Sequence, residues 1–172
     1  MNRHLARLPA GLQAEVDATL ARAHSERWAE RLWARDASLW TGQDEAKWLK
    51  WLDAGEAGCI DLVALKAFQS EIRAADFAHI LLLGMGGSSL GPEVLAQTFG
   101  AQPGFPQLLV LDSTDADQIR RFEVLIDPKS TLFIVSSKSG STLEPDILQR
   151  YFYKVARQAL GEAAGGRSMS LH

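Results

Sequence analysis

Three short apolar runs, Ile80–Leu83, Leu108–Leu111 and Leu132–Val135, each stand just ahead of a segment with a helical pattern. The helical segments are Pro92–Phe99, Asp115–Ile126 with Thr114 and Asp117 as capping pair, and Leu143–Leu160 with Pro145 in its first turn. Runs this short and apolar throughout are buried on both faces when they form strands. Strands that alternate with helices lie parallel, joined by right-handed crossovers. The pattern therefore predicts an α/β fold, an open parallel sheet sandwiched by helices. Such a sheet takes ligands outside the carboxyl ends of its strands, at the crevice where strand order reverses.

Three loops occupy such ends. The first is Gly84-Met-Gly-Gly-Ser-Ser-Leu-Gly91. Its glycines let the backbone turn sharply and bring bare N–H groups close to a ligand, and the helix beyond offers unpaired donors and the positive end of its dipole. The second loop is Asp112-Ser-Thr-Asp115. The third, Ser136-Ser-Lys-Ser-Gly-Ser-Thr142, holds five hydroxyl residues, one lysine and one glycine in seven positions. Hydroxyls and N–H groups bond phosphate oxygens, and Lys138 brings positive charge. Two such loops read as an anion cradle. The plainer alternative is a polar loop in which Ser141 or Thr142 merely caps the helix. A nucleotide is the other alternative: Gly84-x-Gly86-x-x-Ser89 misses the dinucleotide fingerprint by one residue, with Asp112 placed to imitate the ribose-binding acid. The P-loop pattern fails, because no Gly-Lys-Ser/Thr follows the glycines.

At 172 residues there is room for one such domain and a helical extension. Residues 10–34 carry Leu12, Val16, Leu20, Trp28 and Leu32 in an i,i+4 stripe that predicts one amphipathic helix, with His24 as a partly buried residue on it. All five tryptophans (Trp28, Trp33, Trp40, Trp48 and Trp51) fall in this part, a pattern expected of packing against a neighbouring domain. Turn material at Asp53–Gly58 predicts a boundary, dividing a Trp-rich helical segment (1–58) from the sheet domain (59–160). Asp61 then caps a helix with Leu62, Leu65, Phe68 and Ile72 facing inward. Residues 161–172 are short, glycine-rich and without a strand pattern, so an irregular tail is expected. Three strands leave an open edge, and the sequence reads as cut short. A net charge of −3 gives no reason to expect nucleic acid or a membrane surface as partner, and no run approaches the ~20 apolar residues of a spanning helix. The single Cys59, a packed residue on this reading, excludes an internal disulfide and a multi-cysteine metal site. A cytoplasmic location follows.

Gly84-Met-Gly-Gly-Ser-Ser-Leu-Gly-Pro92 resembles the Gly-x-Gly-Gly-Ser-x-Leu-Gly-Pro signature of phosphoglucose isomerases, and Ser137-Lys-Ser-Gly-Ser-Thr-Leu-Glu-Pro145 resembles the Ser-Lys-Ser-Gly-Thr-Thr-x-Glu-Pro loop of their shorter bacterial members. Order and spacing are similar to the first sugar isomerase (SIS) domain of that family, a flavodoxin-like, Rossmann-like three-layer sandwich, over about Phe77 to Leu160. The tryptophan-rich part resembles the segment that joins transaldolase to isomerase in fused enzymes. The resemblance implies a metal-free, cofactor-free interconversion of glucose 6-phosphate and fructose 6-phosphate. It places phosphate contacts on Ser137, Lys138, Ser139 and Thr142 and substrate-loop contacts on Gly87 and Ser88. Ser141 stands where the family has threonine and keeps the hydroxyl, and Glu144 is implied to support the loop. The family's glutamate base, ring-opening histidine and lysine, and enediolate-steadying arginine find no matching position, so no catalytic residue is expected in this chain. The partners implied are a hexose 6-phosphate, a C-terminal isomerase part and an N-terminal transaldolase domain.

Overall fold

Ile80, Leu81, Leu82 and Leu83 lie at the centre of strand β1 (His79–Gly84), because neighbours on both sides satisfy its backbone. One neighbour is β2 (Gln107–Leu111), the other β3 (Thr131–Ser136), and both run parallel to it. This is a computed structural model, and it describes residues 9–55, 60–162, 164 and 168–171. Outside β3 lies β4 (Ser168–Leu171), giving the order β2-β1-β3-β4. The fold class read from the sequence, an open parallel α/β sheet, is the one found. The chain divides into two units between Asp61 and Leu62, and the sheet belongs to the second.

Register fixes what each face buries. Leu81 pairs with Leu109 and Phe133, and Leu83 with Leu111 and Val135. These odd-numbered side chains form the main core with Leu148, Phe152 and Ala156 of α6 (Leu143–Leu160) and with Ile119 and Phe122 of α5 (Ala116–Leu125). Phe152 stacks on Phe133 at 5.6 Å between ring centroids. Even-numbered Ile80, Leu132 and Ile134 meet a smaller cluster, Phe68 and Ile72 of α3 (Leu62–Ala74) together with Phe77. From β1 the chain steps through α4 (Gly87–Phe99) to one side, then returns over β1 to β3 and continues outward to β4. The connections therefore diverge between β1 and β3.

Several expectations need correction. The tail after Leu160 is not wholly irregular, since residues 168–171 pair with Phe133–Ser136 of β3. Four residues are too short a run to show a strand period, and the exposed edge of β3 supplies the hydrogen bonds. Helix α4 begins at Gly87 rather than Pro92: the glycine loop itself winds into the first turn, leaving Pro92 inside the helix. The cap of α5 is Asp115, whose Oδ1 accepts from the N–H groups of Asp117 and Gln118, not Thr114. In α3, Leu62 and Leu65 are exposed while Ile72 is buried. Cys59 lies outside the described residues.

In the first unit the single long helix is two, α1 (Ala10–Ser25) and α2 (Trp28–Trp33), broken where Arg27 adopts φ 55°. An i,i+4 stripe overshoots each turn by about 40°, so over five steps it winds around the helix and no straight helix can bury all of it. Leu12 and Leu20 are exposed accordingly, and so is His24. Arg22 lies over the Trp28 ring at 5.1 Å, a cation–π contact. Trp33, Trp40, Trp48 and Trp51 are exposed, while Leu49 and Leu52 are buried. Two carboxylates organise the turns between them. Asp36 accepts from the Ser38 hydroxyl and from Arg31 Nε at 2.7 Å. Glu45 accepts from the Thr41 hydroxyl and from the N–H groups of Thr41 and Gln43.

These bonds favour the ionised forms. The Ser38 hydroxyl, and after it Arg31, hold the Asp36 carboxyl at about 2 instead of 3.8. The Thr41 hydroxyl, and then backbone N–H groups, hold Glu45 at about 2 instead of 4.5. A depressed folded-state pKa contributes stability above the unfolded value and loses it as pH falls through the folded one. The first unit should hold its turns at pH 5 and loosen them as pH falls from about 4 towards 2. Carboxyl NMR titration should place both midpoints near 2; ordinary midpoints would contradict the contacts.

The ends of β1 and β3 close on Gly84. A Cβ there would stand 3.1 Å from the carbonyl oxygens of both Ser136 and Ser88. Both are backbone atoms and have little room to yield. Gly84→Ala should destabilise the chain by about 1–3 kcal/mol, the cost of overpacking, measured by denaturant unfolding; a cost near zero would show that the strand ends part freely.

Candidate functional site

Gly84 and Ser136 are register partners, so the loops that leave β1 and β3 rise side by side. Because the connections diverge there, no crossover covers the gap, the situation in which doubly wound sheets bind ligands. A cleft of about 350 Å³ opens between the loops. All six residues singled out from the sequence, Gly87, Ser88, Ser137, Lys138, Ser139 and Thr142, line it, together with Met85, Ser136 and Pro145. Those last three went unnamed as contacts although they sit inside or beside the same motifs. Met85 lies between two glycines, Ser136 opens the hydroxyl loop, and Pro145 is in the first turn of α6.

On the β1 side, Gly86 serves as N-cap of α4 with φ 56°, a conformation open to glycine at little cost. Its carbonyl accepts from the N–H groups of Ser89 and Leu90 at 3.1 and 2.8 Å and from Ser89 Oγ at 2.9 Å. Ser89, which stands where a dinucleotide fingerprint takes glycine, is wholly buried beneath the turn. On the β3 side the hydroxyls hold one another. Ser137 Oγ, buried, accepts from the Gly140 N–H at 3.1 Å. Ser139 Oγ accepts from the Ser141 N–H and hydroxyl, each at 3.3 Å, and lies 3.2 Å from Thr142 Oγ1.

Thr142 is the N-cap of α6 but makes no side-chain cap bond, so capping is not what its hydroxyl does here. Neither α4 nor α6 has a side-chain cap; in α4 the N–H groups of Ser88 and Ser89 already donate to Met85 O and Gly86 O, so the Gly87 N–H is the one left to a ligand there. Lys138 is exposed and forms no ion pair among the described residues. Asp146 in the first turn of α6 pairs with Arg150 at 3.0 Å, and Glu144 does not line the cleft. Donors, hydroxyls and one cation thus converge where two helix dipoles turn their positive ends, an arrangement that stabilises an anion.

The second loop takes no part. It follows β2, on the far side of β1 from β3, and Asp115 is occupied as the α5 cap while Ser113 Oγ accepts from the Asp115 N–H at 3.0 Å. No group of three or more His, Cys, Asp or Glu side chains converges among the described residues, and none of their helices is long and apolar enough to cross a membrane.

Comparison with known proteins bears on which anion. The family model of phosphoglucose isomerase matches residues 20–164. Glucose-6-phosphate isomerase of Prochlorococcus marinus (strain MIT 9211) is 31% identical over 134 residues, covering 75% of this chain and 24% of that protein. The Polaromonas naphthalenivorans (strain CJ2) enzyme of the same name is 34% identical over 116 residues, 66% of this chain and 21% of its own. Among solved structures, a glucose-6-phosphate isomerase from Chlamydia trachomatis D/UW-3/Cx superposes with a TM-score of 0.57 at 27% identity, over 81% of this chain and 25% of that one. A hypothetical protein from Thermus thermophilus gives 0.61 at 26% identity, over 96% and 38%. The chain spans about a fifth of the length of the curated relatives it matches. Matched across most of its length by that one model, and carrying both signature loops on adjacent strand ends, this chain belongs to the phosphoglucose isomerase family.

Proposed function

We propose that the cleft binds the phosphate group of a hexose 6-phosphate, the substrate class of the interconversion of glucose 6-phosphate and fructose 6-phosphate in cytoplasmic sugar metabolism. The observation that carries this reading is the convergence of Gly87, Ser88, Ser137, Lys138, Ser139 and Thr142 on one cleft between two uncapped helix N-termini. Hydroxyls of Ser137, Ser139 and Thr142 donate to phosphate oxygens, Lys138 supplies the countercharge, and the glycine turn approaches the sugar closely enough to donate from its backbone. The phosphate then acts as the handle by which the rest of the sugar is oriented.

Moving a proton between C2 and C1 needs a base within hydrogen-bond reach of the carbon acid. Among the described residues, the side chains lining this cleft are hydroxyls, a methionine, a proline and one lysine, with no carboxylate or imidazole. The 172-residue chain on this reading is a sugar-phosphate-binding SIS domain that holds the substrate without turning it over. The resemblance implies a base, ring-opening groups and an enediolate-steadying arginine for that reaction, and on this reading they are supplied from outside this cleft. Metal and cofactor have no place in the chemistry proposed.

The first test is binding. 6-Phosphogluconate should bind weakly, and Ser137→Ala combined with Thr142→Ala should abolish binding, since each lost charge-assisted hydrogen bond costs roughly 1.5–3 kcal/mol. Equal calorimetric titrations of wild type and double mutant would sink the assignment, and preference for NAD would favour the nucleotide alternative. The second is turnover. A coupled assay from fructose 6-phosphate should show no activity from the pure chain, whereas rates in the ordinary enzymatic range of ~1–10³ s⁻¹ would refute the division of labour.

A further inference from the structure

Pro92 lies inside α4, past its first turn. Proline is well placed at the start of a helix, where N–H groups lack partners in any case; further in, it removes one hydrogen bond and crowds the carbonyl four residues back. That carbonyl belongs to Ser88, which lines the cleft. With no N–H at 92 to accept from, Ser88 O lies 3.1 Å from where a Cβ on Gly84 would stand, and Ser136 O is equally close to that point. Both walls of the cleft therefore come so near the same glycine that a side chain there would press on each.

The rest of the first turn is held from below. The Ser88 N–H donates to Met85 O at 3.2 Å, the Ser89 N–H to Gly86 O at 3.1 Å, and the buried Ser89 hydroxyl to Gly86 O at 2.9 Å. Glycines at 87 and 91 and the two serines make Gly87–Gly91 a poor helix former. A local arrangement so unfavourable to a helix, placed at a binding cleft, is the pattern expected where position matters more than stability.

We propose that Pro92 is a positioning residue for the cleft: by withholding a hydrogen bond from Ser88 O, it keeps the first turn of α4 seated on the Gly84–Ser136 contact, with Gly87 and Ser88 facing the hydroxyl loop. This rests on the sugar-phosphate reading of the cleft. Pro92→Ala restores an N–H at position 92, lets Ser88 O rejoin the helix and draws the turn off its seat. Pro92→Gly restores the same N–H with a poor helix former.

The test is calorimetric titration of 6-phosphogluconate into the full chain, wild type and both variants, alongside thermal unfolding. Pro92→Ala should raise the melting temperature yet weaken binding about fivefold, the worth of one hydrogen bond. Pro92→Gly should weaken binding as much with less gain in stability, which a merely structural proline would not do. Unchanged affinity in both variants, with Ser137→Ala plus Thr142→Ala still abolishing binding, overturns the inference and leaves the cleft's function standing. No binding by wild type overturns both.

Discussion

The pairing of β1 with β3, ending in the partners Gly84 and Ser136, is the constraint on which the rest of this structure depends. It places side by side two loops whose first residues, Gly84 and Ser136, are 52 positions apart in sequence. It also sets the point at which the crossovers diverge, and so the place where a cleft can open at the strand ends. The absence of a side chain at 84 lets the Ser88 carbonyl of α4 and the Ser136 carbonyl of β3 both come close to it. Any residue larger than glycine would hold them apart, and with them the two halves of the cleft.

The faces of the sheet are covered unequally. On one side Leu148, Phe152 and Ala156 of α6 are buried against Leu81, Leu83, Phe133 and Val135. Each of the larger side chains, Ala156 excepted, contributes roughly 1.5–3 kcal/mol on burial, and the long α6 whose N-terminus meets the cleft is thereby anchored along its length. On the other side the buried cluster is Ile72, Phe77 and Leu132, and Leu90, Val94, Leu95 and Phe99 of α4 are exposed. The hydroxyl loop is thus carried by the firmly packed helix, whereas the glycine turn is carried by a helix with little apolar anchoring and is located by its contacts at Gly84 and Gly86. That difference suits their proposed roles: phosphate recognition needs fixed donors, and a turn approaching the sugar needs close backbone fit.

Much of this was legible in the residues. The strands around Ile80–Leu83, Leu108–Leu111 and Leu132–Val135 follow from apolar runs buried on two faces, and Leu143–Leu160 from a helical pattern with Pro145 in its first turn. What misled were local signals open to override. Pro92 read as a helix start because proline favours that position, yet the glycines before it are free enough to wind into the helix. The stripe from Leu12 to Leu32 read as one helix because residues four apart share a face, but over that length the face rotates away. Residues 168–171 carried too little pattern to reveal a strand that the edge of β3 supplies with partners.

By itself, then, the sequence determined the class of fold, the glycine-rich and hydroxyl-rich make-up of two loops and the family to which their spacing belongs. These are local properties: apolar runs, glycine freedom, hydroxyl density and helix ends are all written within a few residues of one another. Only the tertiary structure decided which loops face each other. Asp112–Asp115 and Ser136–Thr142 both follow strands, and β3 returns beside β1 on the side opposite β2, so one loop enters the cleft and the other is left to cap α5. The physical reason is that a crossover is long enough to deliver its strand to either edge of the growing sheet. Which edge it takes is settled by how α5 and α6 bury their apolar faces against strands distant in sequence.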